Sequence, residues 1–267
     1  MRLRPIAAIA LRQFYLMRSS PVRVLPMIAW VAVDIVLWGF ISRYLNSVTA
    51  SGINFVASLL GAVLFWDFFT RVMQGVTMAF FEDVWSRNFI NVFASPMQIS
   101  EYLSGLVLTG ITTSLVGLVV MLLIATLIFG LPFAKLGLLL LPFLLVLFLF
   151  GIALGVLASA MVLRLGPASE WLVWPIPALL SPFCAVFYPL AVLPGWMRAV
   201  AHLLPPSYVF EGMRALLAGR SPDTHGLLFG AALAALEILI AGYCFVAVYR
   251  QAVRTGLLAR YSAETVS

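Results

Sequence analysis

"LGLLLLPFLLVLFLFGIALGVLASAMVL", Leu136–Leu163, carries no charge between Lys135 and Arg164. This uncharged run exceeds the roughly 20 residues that a helix needs to cross the hydrocarbon of a bilayer. Its apolar residues are continuous, not alternating, which argues against the strand of a membrane β-barrel. The whole chain agrees with this local reading. Of its 267 residues 63% are hydrophobic and 10% charged, with a mean hydropathy of +1.09. A soluble domain is about half apolar and about a quarter charged. Too little polar surface remains here to cover a water-facing sphere, so lipid is the solvent for most of the chain.

Working outward, the sequence predicts six spans: Val24–Leu45, Ile53–Phe81, Tyr102–Phe129, Leu136–Leu163, Trp171–Leu190 and Leu227–Tyr249. The fifth contains Pro175, Pro177, Pro182 and Pro189. Ahead of the spans, residues 1–23 read as an amphipathic interfacial helix. Ile6, Ile9, Ala10 and Phe14 share one face, with Arg4, Arg12 and Arg18 around the rest; such a segment lies in the headgroup plane. The expected fold is therefore an all-α integral membrane protein forming one domain over 1–267.

The net charge of +6 and the isoelectric point near 9.7 do not make a nucleic-acid binder. Sixteen cations spread among apolar spans form no basic stripe. They do give an orientation. With the N-terminus inside, ten cations fall on the cytoplasmic side and five outside (Arg43, Lys135, Arg198, Arg214 and Arg220), leaving Arg71 within a span. That bias predicts both termini in the cytoplasm. The N-terminal "IAAIAL" ends at Arg12, short of a signal-peptide core, so no cleaved leader is expected. Cys184 and Cys244 lie in apolar surroundings without metal or redox spacing, and read as packing residues.

Chemistry is sparse. The only lysine, Lys135, follows Ala134, so the chain has no P-loop and any ATP use belongs to another chain. His202 and His225 have no metal-ligand spacing, and no G-x-S-x-G nucleophile elbow occurs. No enzyme activity and no metal site are expected. In the second predicted span, "FWDFFTRVMQG" places Asp67 and Arg71 four apart on one helix face. Ionised groups at membrane depth mark a polar path by default, and a structural ion pair is the other reading. Asp34 and Glu237, in the first and last spans, have no sequence-local partner; either can line a cavity or meet Arg71 across the bundle.

Two interruptions complete the reading. Between spans two and three, residues 82–98 mix acids, Arg87, amides and aromatics, and Pro96 breaks the segment before Ser100 caps the next helix. A short helix there gives Trp85, Phe89 and Val92 one apolar ridge, open to a partner or to lipid. Between spans five and six, "YPLAVLPGWMRAVAHLLPPSYVFEGMRAL", Tyr188–Leu216, is too broken to span and too apolar for a loop. Pro194 opens one short helix carrying Trp196 and Arg198, and Pro205-Pro206 ends it. Ser207 caps a second, on which Glu211 and Arg214 lie close, and Gly219 ends it. Residues 190–220 are expected to form a re-entrant hairpin; two helices lying flat in the interface are the other possibility.

These features resemble the ABC-2 type permeases, the membrane subunits of bacterial ABC exporters. Their coupling loop ends in a pattern like "SP-x-x-x-x-E-x-x-x-G", read here as "SPMQISEYLSG", Ser95–Gly105. Their fifth span is followed by patterns read here as "FYPLAVLPGW", Phe187–Trp196, and "LPPSYVFEGMR", Leu204–Arg214. One departure is "NFINVFASP", where many members carry Leu-Glu in place of Asn91 and Val92. The resemblance implies six spans with both ends inside, in a bacterial inner membrane. It also implies a homodimer of this chain, two copies of an ATP-binding subunit, and ATP and Mg on that subunit, with no cofactor on this chain. Coupling would run through Trp85, Arg87, Asn88, Phe89, Asn91, Ser95 and Pro96. The path would pass Asp67 and Arg71; of Trp30, Trp38, Phe65, Trp66, Phe68 and Phe69, any can stack on cargo, but most are expected to face lipid or pack between helices. The hairpin residues are Trp196, Pro205, Pro206, Glu211 and Arg214. Polysaccharide, lipid-linked, amphipathic and drug-like cargoes all fit the family. A stand-alone membrane transferase and an assembly scaffold are the competing functions.

Overall fold

α-Helices carry most of the chain in the computed structural model, which describes residues 2–19, 21–48, 56–86, 92, 95–130 and 133–256. Among these residues there are nine α-helices and no strand. The first is α1 (Leu3–Ser19), followed by α2 (Pro21–Val48) and α3 (Gly61–Trp85), which a π-helical turn at Val56–Leu60 precedes. Then come α4 (Ile99–Phe129) and α5 (Phe133–Leu165). The shorter α6 (Ile176–Leu180), α7 (Gly195–Ala201) and α8 (Pro205–Leu217) lead to α9 (Thr224–Arg254).

Five helical stretches are long and apolar enough to cross a membrane: Ala29–Val48, Ser58–Trp85, Ile99–Phe129, Leu140–Leu165 and Thr224–Arg254. They match the first four predicted spans and the sixth, and make this a multi-pass membrane protein. The predicted fifth span is corrected: Trp171–Leu190 is not one helix. It is a 3-10 turn at Pro167–Leu172, the single helical turn and a half of α6, and a run of turns to Pro189. Each proline removes a backbone donor and crowds the preceding turn. Ala185 then takes φ +53°, a left-handed conformation in which no α-helix continues.

The central element is α3, which lies between α4 and α5, with α9 packed along α5. Glycines set these contacts. A Cβ on Gly75 would stand 2.8 Å from Gly110 Cα, and one on Gly155 2.8 Å from the Met73 carbonyl oxygen. Gly151 and Gly155 are four apart, so α5 offers α3 a shallow strip. Without a hydrophobic effect inside lipid, this close backbone approach is what holds membrane helices together. Aromatic rings fill the remaining core: Phe69 stacks on Phe150 at 5.2 Å, and Trp66 meets Phe210 of α8 at 6.1 Å.

Candidate functional site

Most polar residues of α3 form a stripe that Met78 and Trp85 share, while Thr77 and Asp83 are buried away from it. Asp67, Thr70, Arg71, Gln74, Met78, Glu82 and Trp85 recur every three or four residues and share one face. That face lines a cavity of about 720 Å³, closed by Gln13 of α1, Trp30 and Asp34 of α2, Thr109 and Thr113 of α4, and Trp174. From Asp67 to Trp85 the helix rises about 27 Å, nearly the thickness of a bilayer's hydrocarbon. Asp34 and Asp67, from different helices, both interact electrostatically with Arg71. Asp67 Oδ2 is buried and has no hydrogen-bond partner among the described residues. So Asp67 and Arg71, predicted as a pair, face one cavity, and Asp34 joins them. Glu237 lies elsewhere, on α9, with Oε2 buried and unpartnered among the described residues.

Of the aromatics considered for the path, only Trp30 reaches this cavity. Phe65, Phe68 and Phe69 are core residues, Trp66 packs on Phe69 and Phe210, and Trp38 stacks on Phe187 at 5.3 Å. Sequence reasoning missed Thr70, Gln74, Glu82, Thr109, Thr113 and Trp174. The signal for the first three was present: polar residues at helical spacing along one face of an otherwise apolar span.

The segment between α3 and α4 is held at both ends, and α1 does the holding. Glu101 accepts from the Arg2 backbone N–H at 2.8 Å and pairs with its guanidinium at 3.1 Å. The carboxylate holds the Arg2 guanidinium protonated even more firmly than usual, chiefly through the side-chain hydrogen bond between them. Arg2 also donates to the Pro96 carbonyl. Glu101 Oε2 accepts from the Gln98 N–H at 3.0 Å, so the helix is capped at Gln98, not at Ser100 as the sequence implied. About three turns further along α1, Arg12 pairs with Asp83, which is wholly buried. Gln13 Nε2 donates to the Ala79 carbonyl at 3.2 Å. Ile9 sits directly on Gly105, where a Cβ would be 2.7 Å away. The face of α1 that docks is therefore Ile9 and Gln13, while Phe14, predicted on the apolar face, is exposed.

Trp85 closes the far end of the cavity and donates its indole N–H to Glu170 Oε2 at 2.8 Å. Ser95 and Pro96 border a second hollow of about 420 Å³ between α1 and the segment before α4. Arg87, Asn88, Phe89 and Asn91 lie outside the described residues. Among the described residues, no three His, Cys, Asp or Glu side chains gather as a metal ion requires.

In the broken region, Pro194 is the N-cap of α7 and Trp196 is exposed. Pro205 and Pro206 open α8, with Leu204 as its N-cap. Ser207 is thus not the cap; it sits inside the first turn, and its hydroxyl bonds the Ala201 carbonyl at 2.7 Å. Two prolines at the first positions supply the helical φ and lack only donors that a helix start leaves free. Glu211 accepts from the Leu190 N–H at 2.6 Å and pairs with Arg214 at 3.1 Å. Arg214 donates to the Val186 carbonyl at 3.3 Å, and Arg198 to the Ala191 carbonyl at 2.9 Å. Carbonyls in this non-helical run thus receive guanidinium N–H groups. Gly219, at φ +70°, ends α8 as expected, with the Arg220 N–H reaching the Ala215 carbonyl at 2.9 Å.

The family is shown directly. The chain belongs to the ABC-2 type transporter family, whose model matches residues 6–218, from α1 to the end of α8. It is the membrane permease of an ABC transporter, and members of the family generally pair with an ATP-binding subunit. No curated protein matches the chain.

Proposed function

We propose that this chain is the permease of an ABC exporter in a bacterial inner membrane, working as a homodimer with two ATP-binding subunits that carry ATP and Mg. The observation behind this reading is the polar cavity along α3. It ends at Trp85, where the segment 82–98 begins, so an event on that segment acts on the wall of the cavity itself. In this reading the two termini are cytoplasmic, α1 lies along the cytoplasmic face, and the broken stretch from Pro167 to Leu190 makes the fifth crossing. Residues 190–220 form a re-entrant hairpin on the outer side. ATP-driven closure moves 82–98 through contacts by Trp85, Arg87, Asn88, Phe89, Asn91, Ser95 and Pro96, and changes which side of the membrane the cavity faces. Nucleotide can drive that change only if the two states bind it with different free energy.

The test is co-purification with an ATP-binding subunit, and ATP-dependent transport by the pair. Phe89→Asp and Arg87→Glu are expected to abolish the association while leaving the permease folded. Full activity of the chain without any ATPase partner would sink this reading in favour of a stand-alone transferase.

A further inference from the structure

We infer that the cavity along α3 takes a cationic amphiphile, a molecule with one positive charge on an aromatic or apolar body. The inference rests on reading this cavity as part of the transport path. Around Arg71 the lining holds two carboxylates, Asp34 and Asp67, against that one guanidinium; Glu82, further along the cavity, makes interactions of its own. Asp34 and Asp67 both interact with that guanidinium, and one cation balances one carboxylate. The surplus has a location: Asp67 Oδ2 is buried and receives no hydrogen bond from any described residue. A carboxyl group out of water either takes up a proton or keeps its charge by meeting a cation or donor, and a cationic ligand is the partner that keeps Asp67 ionised.

The rest of the lining fits the same ligand. Trp30, Trp85 and Trp174 border the cavity, and indole faces attract cations, more so where water is scarce. The volume of about 720 Å³ lies within the size range of drug-like ligand sites. A lipid-linked pyrophosphate would bring negative charge against a surplus of carboxylates. A neutral sugar would stack on the indoles but leave Asp67 unmatched. The charge balance therefore selects one class from the cargoes open to the family.

Tetraphenylphosphonium and tetraphenylborate, ions of the same shape and opposite charge, test this. Binding to the purified chain in nanodiscs of neutral lipid is measured by equilibrium dialysis, with empty discs subtracting the partition into lipid. Saturable binding of tetraphenylphosphonium alone is expected. Asp67→Asn and Asp34→Asn should each weaken it by about tenfold or more, the scale of a charged contact. Glu237→Gln, an acid outside the cavity, should leave it unchanged. Equal or tighter tetraphenylborate binding overturns the inference, as does tetraphenylphosphonium binding that is absent or indifferent to both aspartates. A chain that associates with its ATP-binding subunit yet takes no tetraphenylphosphonium loses the cationic ligand but keeps the permease role. A chain that binds neither loses both.

Discussion

The Tyr102 hydroxyl donates to Asp83 Oδ2 at 2.8 Å, joining the start of α4 to the end of α3 across the segment proposed to couple to the ATPase. Both side chains are buried, and Arg12 of α1 takes the other carboxylate oxygen. One acid thus ties three helices together at the point where the coupling segment leaves the bundle. Arg2 and Glu101 repeat the arrangement at the segment's other end. A push on residues 82–98 therefore reaches α1, α3 and α4 together.

Breaking this knot should destabilise the fold in a graded way. Tyr102→Phe removes one neutral donor and is expected to cost about 1–2 kcal/mol. Arg12→Gln leaves Asp83 buried without its counter-charge and should cost more, about 3–5 kcal/mol. Thermal unfolding in detergent measures both. Equal, negligible shifts would mean that the Arg12–Asp83–Tyr102 knot contributes nothing to the stability of the bundle.

The glycine contacts make a sharper test, because they separate close approach from composition. In Gly155→Ala the added methyl meets the Met73 backbone oxygen at 2.8 Å, which cannot move without moving α3. Overpacking of this kind is expected to cost about 1–3 kcal/mol. Gly242→Ala, on α9, has no atom within 4 Å of the new methyl. There the better helix propensity of alanine should stabilise by roughly 0.5–1 kcal/mol. Opposite signs in the two melting shifts are the expected result.

The long helices were legible in the sequence because continuous apolar runs have one solution in lipid. Five predicted spans lie within a few residues of the observed ones. The failure at Trp171–Leu190 was also written there, in four prolines, but hydropathy outweighed them. Length and apolarity say that a segment prefers lipid; they do not say that its backbone can bond to itself. Rescue came from side chains distant in sequence, such as Glu211 to the Leu190 N–H and Arg214 to the Val186 carbonyl, which periodicity cannot pair. The site divides similarly. Asp67 and Arg71 stood out as charges in a span. Thr70 and Gln74 passed unremarked, since neutral polar residues are common in membrane helices and gain meaning only from a shared face. The docking of α1 through Arg12 and Asp83 links residues 71 positions apart, and no local rule predicts it.

Trp85 offers a test of coupling that leaves the proposed partner contacts of Arg87, Asn88, Phe89 and Asn91 in place. Its indole N–H holds Glu170, in the 3-10 turn after α5, at the end of the cavity. Trp85→Phe keeps the ring and loses the bond; Trp85→Ala loses both. In the proposed exporter, both variants should still co-purify with the ATP-binding subunit and hydrolyse ATP. Transport per ATP should fall, modestly for phenylalanine and several-fold for alanine. If transport and hydrolysis fall in parallel, Trp85 serves assembly and not the cavity.

Whether residues 190–220 form the proposed hairpin, and how deep it reaches, can be read by labelling, provided the positions are well chosen. Pro205, Pro206 and Ser207 are buried by protein, so a cysteine placed there would be shielded whether the hairpin dips into the bilayer or lies flat. Leu203 is 65% exposed and sits at the tip between α7 and α8, while Arg220 is exposed beyond the end of α8. Of the native cysteines, Cys184 is buried and Cys244 half-buried, so a Cys244→Ala background suffices. An apolar side chain that protein leaves uncovered is covered by lipid if the tip re-enters, and by water if it does not. A membrane-impermeant maleimide added from outside should therefore label Arg220→Cys rapidly and Leu203→Cys slowly, with the difference removed once detergent dissolves the bilayer. Equal labelling of the two in intact membranes would place the tip at the surface and make α7 and α8 interfacial helices.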